Sequence, residues 1–463
     1  MLDTASVLEG LEEALARRRG ATRALVSVTT EVELADPCAA VFASRMAGDR
    51  WFCWEEPDRD GFALAALGSA HEAVSRGPER FADLVRECAA TIRGRVAVEP
   101  EELPPGAGPV WTGGFAFAAD GGAAPHWSSF PPALLVLPEL SLLRSGDRTW
   151  LTLNAVAVGA EPDAVEAVLA HRLASVRERD LPLLDPEPRG ETRITSVTPP
   201  GDYEAAVARA TERIAAGSLE KVVVAREVAV EAPRAHDPAA IFGALRELFP
   251  SCFVFCAGSP EGAFLGASPE LLVRRRGAGA ATVALAGSTR RSADPAVDDH
   301  LGEQLLRSAK DRSEHEIVAR RIERALAPRS VWVETDPDPG LVKVANIQHL
   351  ATPVHAQLAE PLSAIELGAL LHPTPAVGGE PAAAALEAIG ELEELDRGWY
   401  AGPVGWMDAA EDGELCVALR SALLRDRTAH LFAGAGIVAD SDPAAELAET
   451  ELKLEALLPL LAG

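Results

Sequence analysis

Short runs of alternating hydrophobic and polar residues fill the first part of the chain, and this alternation is typical of half-buried β-strands. Two such runs, at 47–57 and 60–68, are joined by a polar turn and predict a hairpin. Helical spacing of apolar positions predicts helices at 1–20, 72–94 and 161–179. Further strands are predicted at 110–120, 131–144 and 148–159.

The second part of the chain carries strand and helix patterns in close succession. Helices are predicted at 202–217, 299–327 and 442–462. Hairpins between the strands favour an α+β (layered α/β) fold with antiparallel sheets over a doubly wound parallel sheet. The strands are predicted at 220–232, 252–258, 262–268, 402–409, 414–424 and 429–438.

One stretch rich in proline and charge, RDLPLLDPEPRGETR, predicts a boundary near 180–195. It separates an N-terminal half, 1–190, from a C-terminal half, 191–463, that holds most of the motifs described below. A surface loop joining two halves of one body would have the same composition. We expect the halves to form one compact structural unit, in which the first half completes the sheet.

Composition and charge narrow the function. The chain has 463 residues, of which 48% are hydrophobic, so a large core can form. A formal net charge of −27 repels phosphate backbones and argues against nucleic acid as a partner. An acidic protein can still bind an acidic small molecule, but it then needs a local metal, lysine or arginine.

The sequence also indicates the compartment. The first residues lack the apolar core of a signal peptide, and no apolar run is long enough to span a bilayer. The six cysteines form no CxxC pair, and Cys252 and Cys256 would share one strand face. We interpret them as small buried hydrophobic residues, which fits a reducing cytoplasm.

Two predicted helices each carry a pair of carboxylates three residues apart. Asp311 and Glu314 share one face of the first helix, and Glu446 and Glu449 share one face of the second, with Lys453 four residues further on. Two such pairs could hold Mg²⁺, which prefers oxygen ligands. The alternative is that both pairs lie on solvated helix faces, and spacing alone leaves both interpretations open.

Nine blocks, in their order along the chain, carry a more specific signal. They resemble the chorismate-utilising enzymes, and within that family the isochorismate synthases. The resemblance covers about residues 200–460, and GGFAF (113–117) and LLVLPEL (134–140) extend it loosely into the first half. The nine blocks are LEKVVVAREV (219–228), FLGASPELLV (264–273), ALAGSTRR (284–291), LLRSAKDRSEHEIV (305–318), NIQHLATP (346–353), LHPTPAVGGEP (371–381), RGWYAGPVGW (397–406), VALRSALL (417–424) and AGAGIVADSDPAAELAETELKL (433–454).

The resemblance implies a fold, a substrate and a cation. The fold is one large α/β body with antiparallel sheets in the core and helices packed outside. The substrate is chorismate, and the cation is Mg²⁺. Matched by position, Glu314 and Glu449 look like direct Mg²⁺ ligands, while Asp311 and Glu446 lie behind them or hold metal-bound water.

The same resemblance assigns the catalytic groups. Isochorismate forms when water adds at C2 of chorismate and the C4 hydroxyl leaves, so the site needs a base and an acid. Lys221, at the start of KVVVAREV, matches the general base, and it must lose its proton to act. Glu270, in GASPELL, matches the general acid, and a raised pKa would keep it protonated at neutral pH.

Other matched positions are expected to hold the substrate. Arg420 and Lys453 are similar to the family's carboxylate anchors. The guanidinium fork of an arginine suits a planar carboxylate. Glycine at 434 and 436 would let main-chain N–H groups approach an anion. The remaining positions in this group are Tyr400, His349, Ser288 and Ala376.

Three alternatives remain beside isochorismate synthase. An anthranilate-type aminating enzyme would commonly carry Gln at the position of Lys221 and the LLES motif, which this chain lacks, so no glutaminase subunit is expected. A salicylate synthase tends to carry Thr where Ala376 stands. A non-catalytic chorismate-binding homologue should have lost one of the acid, base or metal positions. We expect a monomer, and the sequence leaves open whether isochorismate serves menaquinone, siderophore or salicylate synthesis.

Overall fold

A computed structural model describes residues 4–17, 23–158, 162–185, 190–344 and 346–463. In these ranges the helices are α1 (Thr4–Arg17), α2 (Pro37–Ser44), α3 (Arg80–Ile92), α4 (Pro162–Ala174), α5 (Pro200–Ala215), α6 (Pro238–Leu248), α7 (Pro295–Arg307), α8 (Ala309–Leu326), α9 (Ala364–Leu371), α10 (Ala382–Leu392), α11 (Pro443–Leu454) and α12 (Leu458–Ala462), with 3₁₀ turns at Pro125–Trp127 and Ala327–Arg329.

The strands of the described ranges are β1 (Arg23–Val32), β2 (Trp51–Glu56), β3 (Phe62–Leu67), β4 (His71–Ser75), β5 (Val96–Val98), β6 (Val110–Phe115), β7 (Ala133–Leu137), β8 (Leu140–Ser145), β9 (Arg148–Val158), β10 (Arg193–Ser196), β11 (Lys221–Glu231), β12 (Phe253–Ser259), β13 (Gly262–Ser268), β14 (Leu271–Arg276), β15 (Gly279–Arg290), β16 (Ser330–Thr335), β17 (Gly340–Lys343), β18 (Ile347–Leu358), β19 (Gly379–Glu380), β20 (Pro403–Asp408), β21 (Gly413–Val417), β22 (Ser421–Arg425) and β23 (Thr428–Ile437).

Two large sheets organise these strands. The 13-stranded sheet has the order β10-β11-β23-β22-β13-β12-β2-β3-β8-β9-β1-β5, with β19 paired to β11. The 10-stranded sheet has the order β16-β18-β15-β14-β21-β20-β6-β7-β4, with β17 paired to β18. Strand pairs are antiparallel except β1 with β5. Both sheets draw strands from either side of residue 190, and the predicted α+β fold is confirmed.

Alternation along each strand divides the core into layers. In β2, Phe52 and Trp54 belong to a buried cluster that joins side chains of both sheets, whereas Cys53 belongs to a second cluster. The second cluster packs the larger sheet against α1, α2, α4 and α6, and a third packs α3 and α9 against the smaller sheet. The first cluster, which contains Phe52, Trp54, Trp127 and Trp399, therefore forms an aromatic layer between the sheets. Helices cover the outer faces of the two sheets.

Several predicted elements were wrong in their boundaries. The helix predicted at 72–94 is a strand, β4, followed by α3, because Gly77 and Pro78 interrupt the run between them. The helix predicted at 299–327 is two helices. Ser308 has an extended backbone and accepts a hydrogen bond from the Asp311 N–H at 3.3 Å, so it caps the start of α8.

The runs at 131–144 and 414–424 were each predicted as one strand, and each is two strands in different sheets. Pro138 ends β7 in the smaller sheet, and β8 continues in the larger one. In the second run, the chain leaves the smaller sheet after Val417 and enters the larger sheet at Ser421. The segment between them contains Arg420, whose φ is 46°, a left-handed conformation.

The helix predicted at 442–462 is also two helices, α11 and α12. The remaining predictions concern the ends of the two halves and the cysteines. The first predicted helix is found at Thr4–Arg17, and its other residues lie outside the described ranges. So do residues 186–189 of the predicted boundary, and β10 begins at Arg193. All six cysteines are free and buried. Among the described residues, no helix has the length and apolarity needed to cross a membrane.

Candidate active site

One cavity gathers most of the residues singled out from the sequence. It lies where β11 and β23 of the larger sheet meet the segments that pass between the sheets, with α8 and α11 beside them. Lys221, Asp311 and Glu446 lie behind its wall rather than on it. The predicted residues on its wall are Glu270, Ser288, Glu314, His349, Ala376, Tyr400, Arg420, Gly434, Gly436, Glu449 and Lys453.

Lys221 is a buried cation with a single carboxylate partner. Its Nζ atom lies 2.8 Å from Glu314 Oε1, and the Lys221 side chain has no exposed surface. The angles at this contact fall short of hydrogen-bond geometry, so Nζ has no hydrogen-bond partner. Gly436 faces the pair across the β11–β23 ladder, and a Cβ at this glycine would lie 2.4 Å from Glu314 Oε1. The pair therefore fits only against a residue without a side chain.

A second lysine–glutamate pair lies on α11. Lys453 Nζ is 2.8 Å from Glu449 Oε1 and donates a 2.9 Å hydrogen bond to the carbonyl oxygen of Gly434. The hydroxyl of Ser288 donates to the same Glu449 oxygen at 3.2 Å. Burial acts to raise the pKa of Glu449, but the charge and hydrogen bond of Lys453 outweigh it and the pKa is lowered. Glu449 is therefore a carboxylate at neutral pH.

The other two carboxylates lie one turn away on the same helices. Lys310 Nζ donates to Glu446 Oε1 at 2.9 Å, and the hydroxyl of Ser308 donates to the carboxylate of Asp311. Burial raises the pKa of Glu446, and the negative charge of Glu449 raises it further. Burial also raises the pKa of Asp311, and the charge of Glu314 adds to that effect. The four carboxylates thus lie close enough to repel one another.

These residues fit a divalent cation in donor type and charge. Four carboxylates meet three lysines (221, 310 and 453), so this cluster carries one uncompensated negative charge. Glu314 and Glu449 come from two helices and line one cavity, and oxygen donors without a soft ligand suit Mg²⁺. No three of the carboxylates bring oxygens within 4.8 Å of one another, because lysines and Ser308 hold them apart. Glu314 and Glu449 would hold the ion only after turning away from their lysines.

Glu270 is a buried carboxyl group that stays partly protonated near neutral pH. It lies between β13 and β14, where the chain passes from the larger sheet to the smaller. Burial raises its pKa to about 7, although the Thr374 hydroxyl, 3.3 Å from Oε1, and the charges of Lys221 and Lys453 act in the opposite direction. A buried carboxyl group with such a pKa can donate a proton at neutral pH.

Arg420 lies on the neighbouring crossing segment, between β21 and β22. Because β13 pairs with β22 and β14 with β21, the two crossings run side by side. Glu270 accepts from Val417 N at 3.0 Å, and Arg420 accepts from Ala267 N at 3.2 Å through their carbonyl oxygens. The left-handed backbone at Arg420 is uncommon for a residue with a side chain, and such strain concentrates at functional sites.

The guanidinium of Arg420 is buried and only partly satisfied. Its Nη2 lies 2.9 Å from Nε2 of His349, while Nη1 is buried without a hydrogen-bond partner. Burial lowers the pKa of His349 well below its usual range, and the charge of Arg420 lowers it further, so His349 is a neutral acceptor. An unpaired buried donor on a cavity wall indicates a site for an anionic group.

Apart from Arg397, the rest of the wall is largely apolar. Tyr400 stacks on Phe432 with ring centroids 5.3 Å apart, and burial raises the pKa of the Tyr400 hydroxyl, which therefore stays neutral. Ala376 lies beside Val377 on the same wall. The cavity thus combines an apolar face for a ring with charged groups for carboxylates.

Sequence reasoning missed three contributors to this site. Thr374 contacts Glu270, and Phe432 forms the stacking face for Tyr400. Arg397 donates to the carbonyl oxygens of Val377, at 2.8 Å, and Val223, at 3.0 Å. Thr374 stands within LHPTPAVGGEP and Arg397 opens RGWYAGPVGW, so both blocks held a signal that was not assigned to these residues.

Comparison with known proteins agrees with this fold. The family of chorismate binding enzymes matches residues 9–462, and the chain belongs to this family. The membership expected from the nine blocks is therefore confirmed.

Among individual proteins, the chain is 38% identical over 447 residues to the salicylate biosynthesis isochorismate synthase of Pseudomonas aeruginosa, covering 95% of this chain and 90% of that protein. It is 34% identical over 449 residues to isochorismate synthase MenF of Bacillus subtilis, covering 95% and 94%. The structure of the menaquinone-specific isochorismate synthase MenF from Escherichia coli aligns with a TM-score of 0.80 and 26% identity, covering 98% of this chain and 100% of that one.

Proposed function

We propose that this chain is an isochorismate synthase, which converts chorismate to isochorismate. The observation that carries the proposal is the presence of a basic side chain and an acidic side chain at one cavity. Lys221, a buried amine held by one carboxylate, lies near Glu270, a carboxyl group with a pKa of about 7. The relatives that match over nearly the whole chain bear the same activity in their names.

The reaction assigns one proton transfer to each of these residues. Lys221, once neutral, takes a proton from water as the water oxygen bonds to C2 of the substrate. The ring double bonds shift, the bond from C4 to its hydroxyl oxygen breaks, and Glu270 donates its proton so that the leaving group departs as water.

Substrate anchoring is proposed for the cations and the glycine-rich strand. Arg420, with its unpaired Nη1, and Lys453 bind the two carboxylates of chorismate. The main chain at Gly434 and Gly436 lies close to the bound anion, and Tyr400, His349, Ser288 and Ala376 line the remaining wall. Glu314 and Glu449, backed by Asp311 and Glu446, would hold Mg²⁺, which when bound neutralises a substrate carboxylate and withdraws electron density from the ring.

Further properties belong to the same proposal. Ala376 supports release of isochorismate without pyruvate elimination, against a salicylate synthase. Lysine at 221 supports water as the nucleophile, so no glutaminase subunit is needed. We propose one compact unit, a monomer, in the cytoplasm, and the six buried free cysteines support that compartment. The names of the relatives point to more than one pathway, so the pathway served stays open.

A product assay tests the activity. Purified protein is incubated with chorismate and Mg²⁺, with EDTA in one arm and ammonium in another, and the products are separated by chromatography. We expect isochorismate that disappears with EDTA, and no pyruvate. Salicylate with pyruvate would assign the chain to the lyase branch, and an amine formed only with ammonium would assign it to the aminating branch. No product in any arm would leave a binding protein.

A further inference from the structure

A second cluster of metal-binding side chains lies away from the carboxylates of the active site. His126, Glu227 and His430 each place one ligand atom within 4.8 Å of those of the other two. Nδ1 of His430 is 2.7 Å from Glu227 Oε1, and the rings of His126 and His430 stack with centroids 4.4 Å apart. None of the three residues lines the active-site cavity.

The three side chains come from three separate segments. His126 lies in the 3₁₀ turn Pro125–Trp127, Glu227 lies on β11 and His430 lies on β23. The two strands are direct neighbours in the larger sheet, so Glu227 and His430 are held by a continuous ladder of backbone hydrogen bonds. The cluster therefore joins the N-terminal part of the chain to the strands that carry Lys221 and Gly436.

The turn that carries His126 is fixed in place by Asp396. The Asp396 carboxylate accepts hydrogen bonds from Gly122 N at 2.9 Å and Ala124 N at 2.8 Å. Its backbone carbonyl oxygen accepts from the indole N–H of Trp127 at 3.1 Å. The Asp396 oxygens are thus occupied by hydrogen bonds to the turn, and His126 is the metal-binding side chain that the turn holds next to His430. Ligands held before the ion arrives are what a metal site needs.

An ion pair between His430 and Glu227 explains only part of this arrangement. His126 contributes no hydrogen bond to the pair, and its Nε2 atom is buried without a partner. The nearby cation Arg425 is paired with Glu261 at 3.3 Å. The buried ring nitrogen of His126 is therefore a donor atom that the ion pair leaves without a partner.

We propose that His126, Glu227 and His430 form a binding site for a divalent transition-metal ion, for which Zn²⁺ is the natural probe. Two imidazoles and one carboxylate are a donor set that suits Zn²⁺ and does not suit Mg²⁺, which prefers oxygen ligands. The half-buried positions of both histidines leave room for water as a further ligand. The site is independent of the proposed function, because it shares no residue with the active site.

Binding at this site has a structural consequence on β23. His430 and Phe432 are two residues apart on one strand, so their side chains lie on the same face. Phe432 stacks on Trp127, next to His126, and also on Tyr400 in the active-site cavity. An ion that joins His126 to His430 would therefore link the segments that carry Trp127 and Phe432, and Phe432 in turn stacks on Tyr400 in the cavity.

Metal titration of the full chain tests the proposal. The protein is freed of metal with a chelator, and Zn²⁺ is added in a calorimeter with Mg²⁺ in excess, which masks the active-site carboxylates. We expect one Zn²⁺ per chain that Mg²⁺ does not displace, and a rise in melting temperature. His126→Ala and Glu227→Gln should weaken this binding by at least about tenfold. Co²⁺ in place of Zn²⁺ should give a visible absorption band that His430→Ala removes.

Two matched variants separate this site from other sources of binding. His300→Ala removes an exposed histidine on α7 and should bind Zn²⁺ like the unaltered protein. Glu314→Gln alters the active site and should do the same. Zn²⁺ binding that is lost in Glu314→Gln and retained in His126→Ala overturns the proposal, as does the absence of any site in the presence of Mg²⁺. If His430→Ala does not fold, His126→Ala, in a half-buried turn, and the isosteric Glu227→Gln decide.

Discussion

The ammonium nitrogen of Lys221 lies 2.8 Å from a carboxylate oxygen of Glu314, and no other carboxylate forms an ion pair with this lysine among the described residues. The proposed base and one of the proposed metal ligands are therefore ion-pair partners. A cation held by Glu314 would compete with Lys221 for the same carboxylate, so the two proposed roles are linked through one side chain. We therefore expect a substitution of either residue to affect the other.

Replacement of the base is the first prediction. Lys221→Ala should lower the rate of isochorismate formation by about 10²–10⁴-fold, the usual contribution of a general base. Lys343→Ala removes a lysine on β17 that pairs with Asp298 and Asp299 of α7, and this variant should retain full activity. Circular dichroism and thermal melting check that Lys221→Ala is folded. Turnover near that of the unaltered enzyme in a folded Lys221→Ala would remove Lys221 from the base role.

Replacement of the proposed metal ligands is the second prediction. Glu314→Gln and Glu449→Gln should each raise the Mg²⁺ concentration for half-maximal activity by at least about tenfold. Glu316→Gln and Glu451→Gln, which alter exposed carboxylates on the same two helices, should leave the titration unchanged. Glu314→Gln also leaves Lys221 buried without its partner and should cost about 3–5 kcal/mol of stability. Superimposable Mg²⁺ titrations would exclude the two glutamates from the metal.

The pH dependence of the reaction follows from Glu270. Its pKa is raised to about 7, and an acid must be protonated to donate, so kcat should fall as the pH rises through about 7. The Thr374 hydroxyl acts to lower this pKa, so Thr374→Val should raise it and move the fall in activity to higher pH. Thr211→Val, on α5, is the matched control. A pH profile that Thr374→Val leaves in place would refute the assignment of Glu270 as the acid.

A single methyl group tests the fit around the Lys221–Glu314 pair. A Cβ at position 436 would lie 2.4 Å from Glu314 Oε1 and 2.8 Å from Lys221 Cε, so Gly436→Ala must displace one of the two. Displacements of this size at a catalytic group cost about 10²-fold in rate. Gly201→Ala, where a Cβ meets nothing within 4 Å, should be neutral. Unchanged kcat in Gly436→Ala would show that the geometry of the pair does not limit the reaction.

Selectivity between isomerisation and elimination is the last prediction. Ala376→Thr should allow some pyruvate to form, because a larger polar side chain on the cavity wall shifts the ring of the bound product. Coupled lactate dehydrogenase detects the pyruvate. Ala376→Val, which has the same shape without the hydroxyl, separates bulk from hydrogen bonding. If neither variant releases pyruvate, Ala376 does not control this choice.

The fold class and the family could be predicted from the sequence because they rest on local patterns and on ordered motifs. The split of 131–144 and of 414–424 between two sheets could not, since each run keeps one continuous hydrophobic pattern while its partners lie far along the chain. The break at Ser308 was missed because the apolar period continues across it, although serine is a common helix cap.

In the active site, too, motifs identify individual residues but do not identify the contacts between them. Lys221, Glu270 and Arg420 stand inside recognisable blocks; the structure places Glu270 and Arg420 on the wall of one cavity and Lys221 behind it, paired with Glu314. The contact of Thr374 with Glu270 and the approach of His126 to His430 join residues about a hundred and three hundred positions apart. No spacing rule reaches that far, so pairings of this kind become visible only once the strand order is known.

The two adjacent crossing segments make the cavity sensitive to motion of one sheet against the other. Glu270 and Arg420 belong to neither sheet alone, and backbone hydrogen bonds link each segment to the flank of the other. Because the two segments are hydrogen-bonded side by side, a shift of one sheet against the other would move both of them. Substitutions in the aromatic layer between the sheets should therefore change substrate affinity before they lower the melting temperature. Packing defects far from the cavity would then be detected first as a loss of catalytic activity.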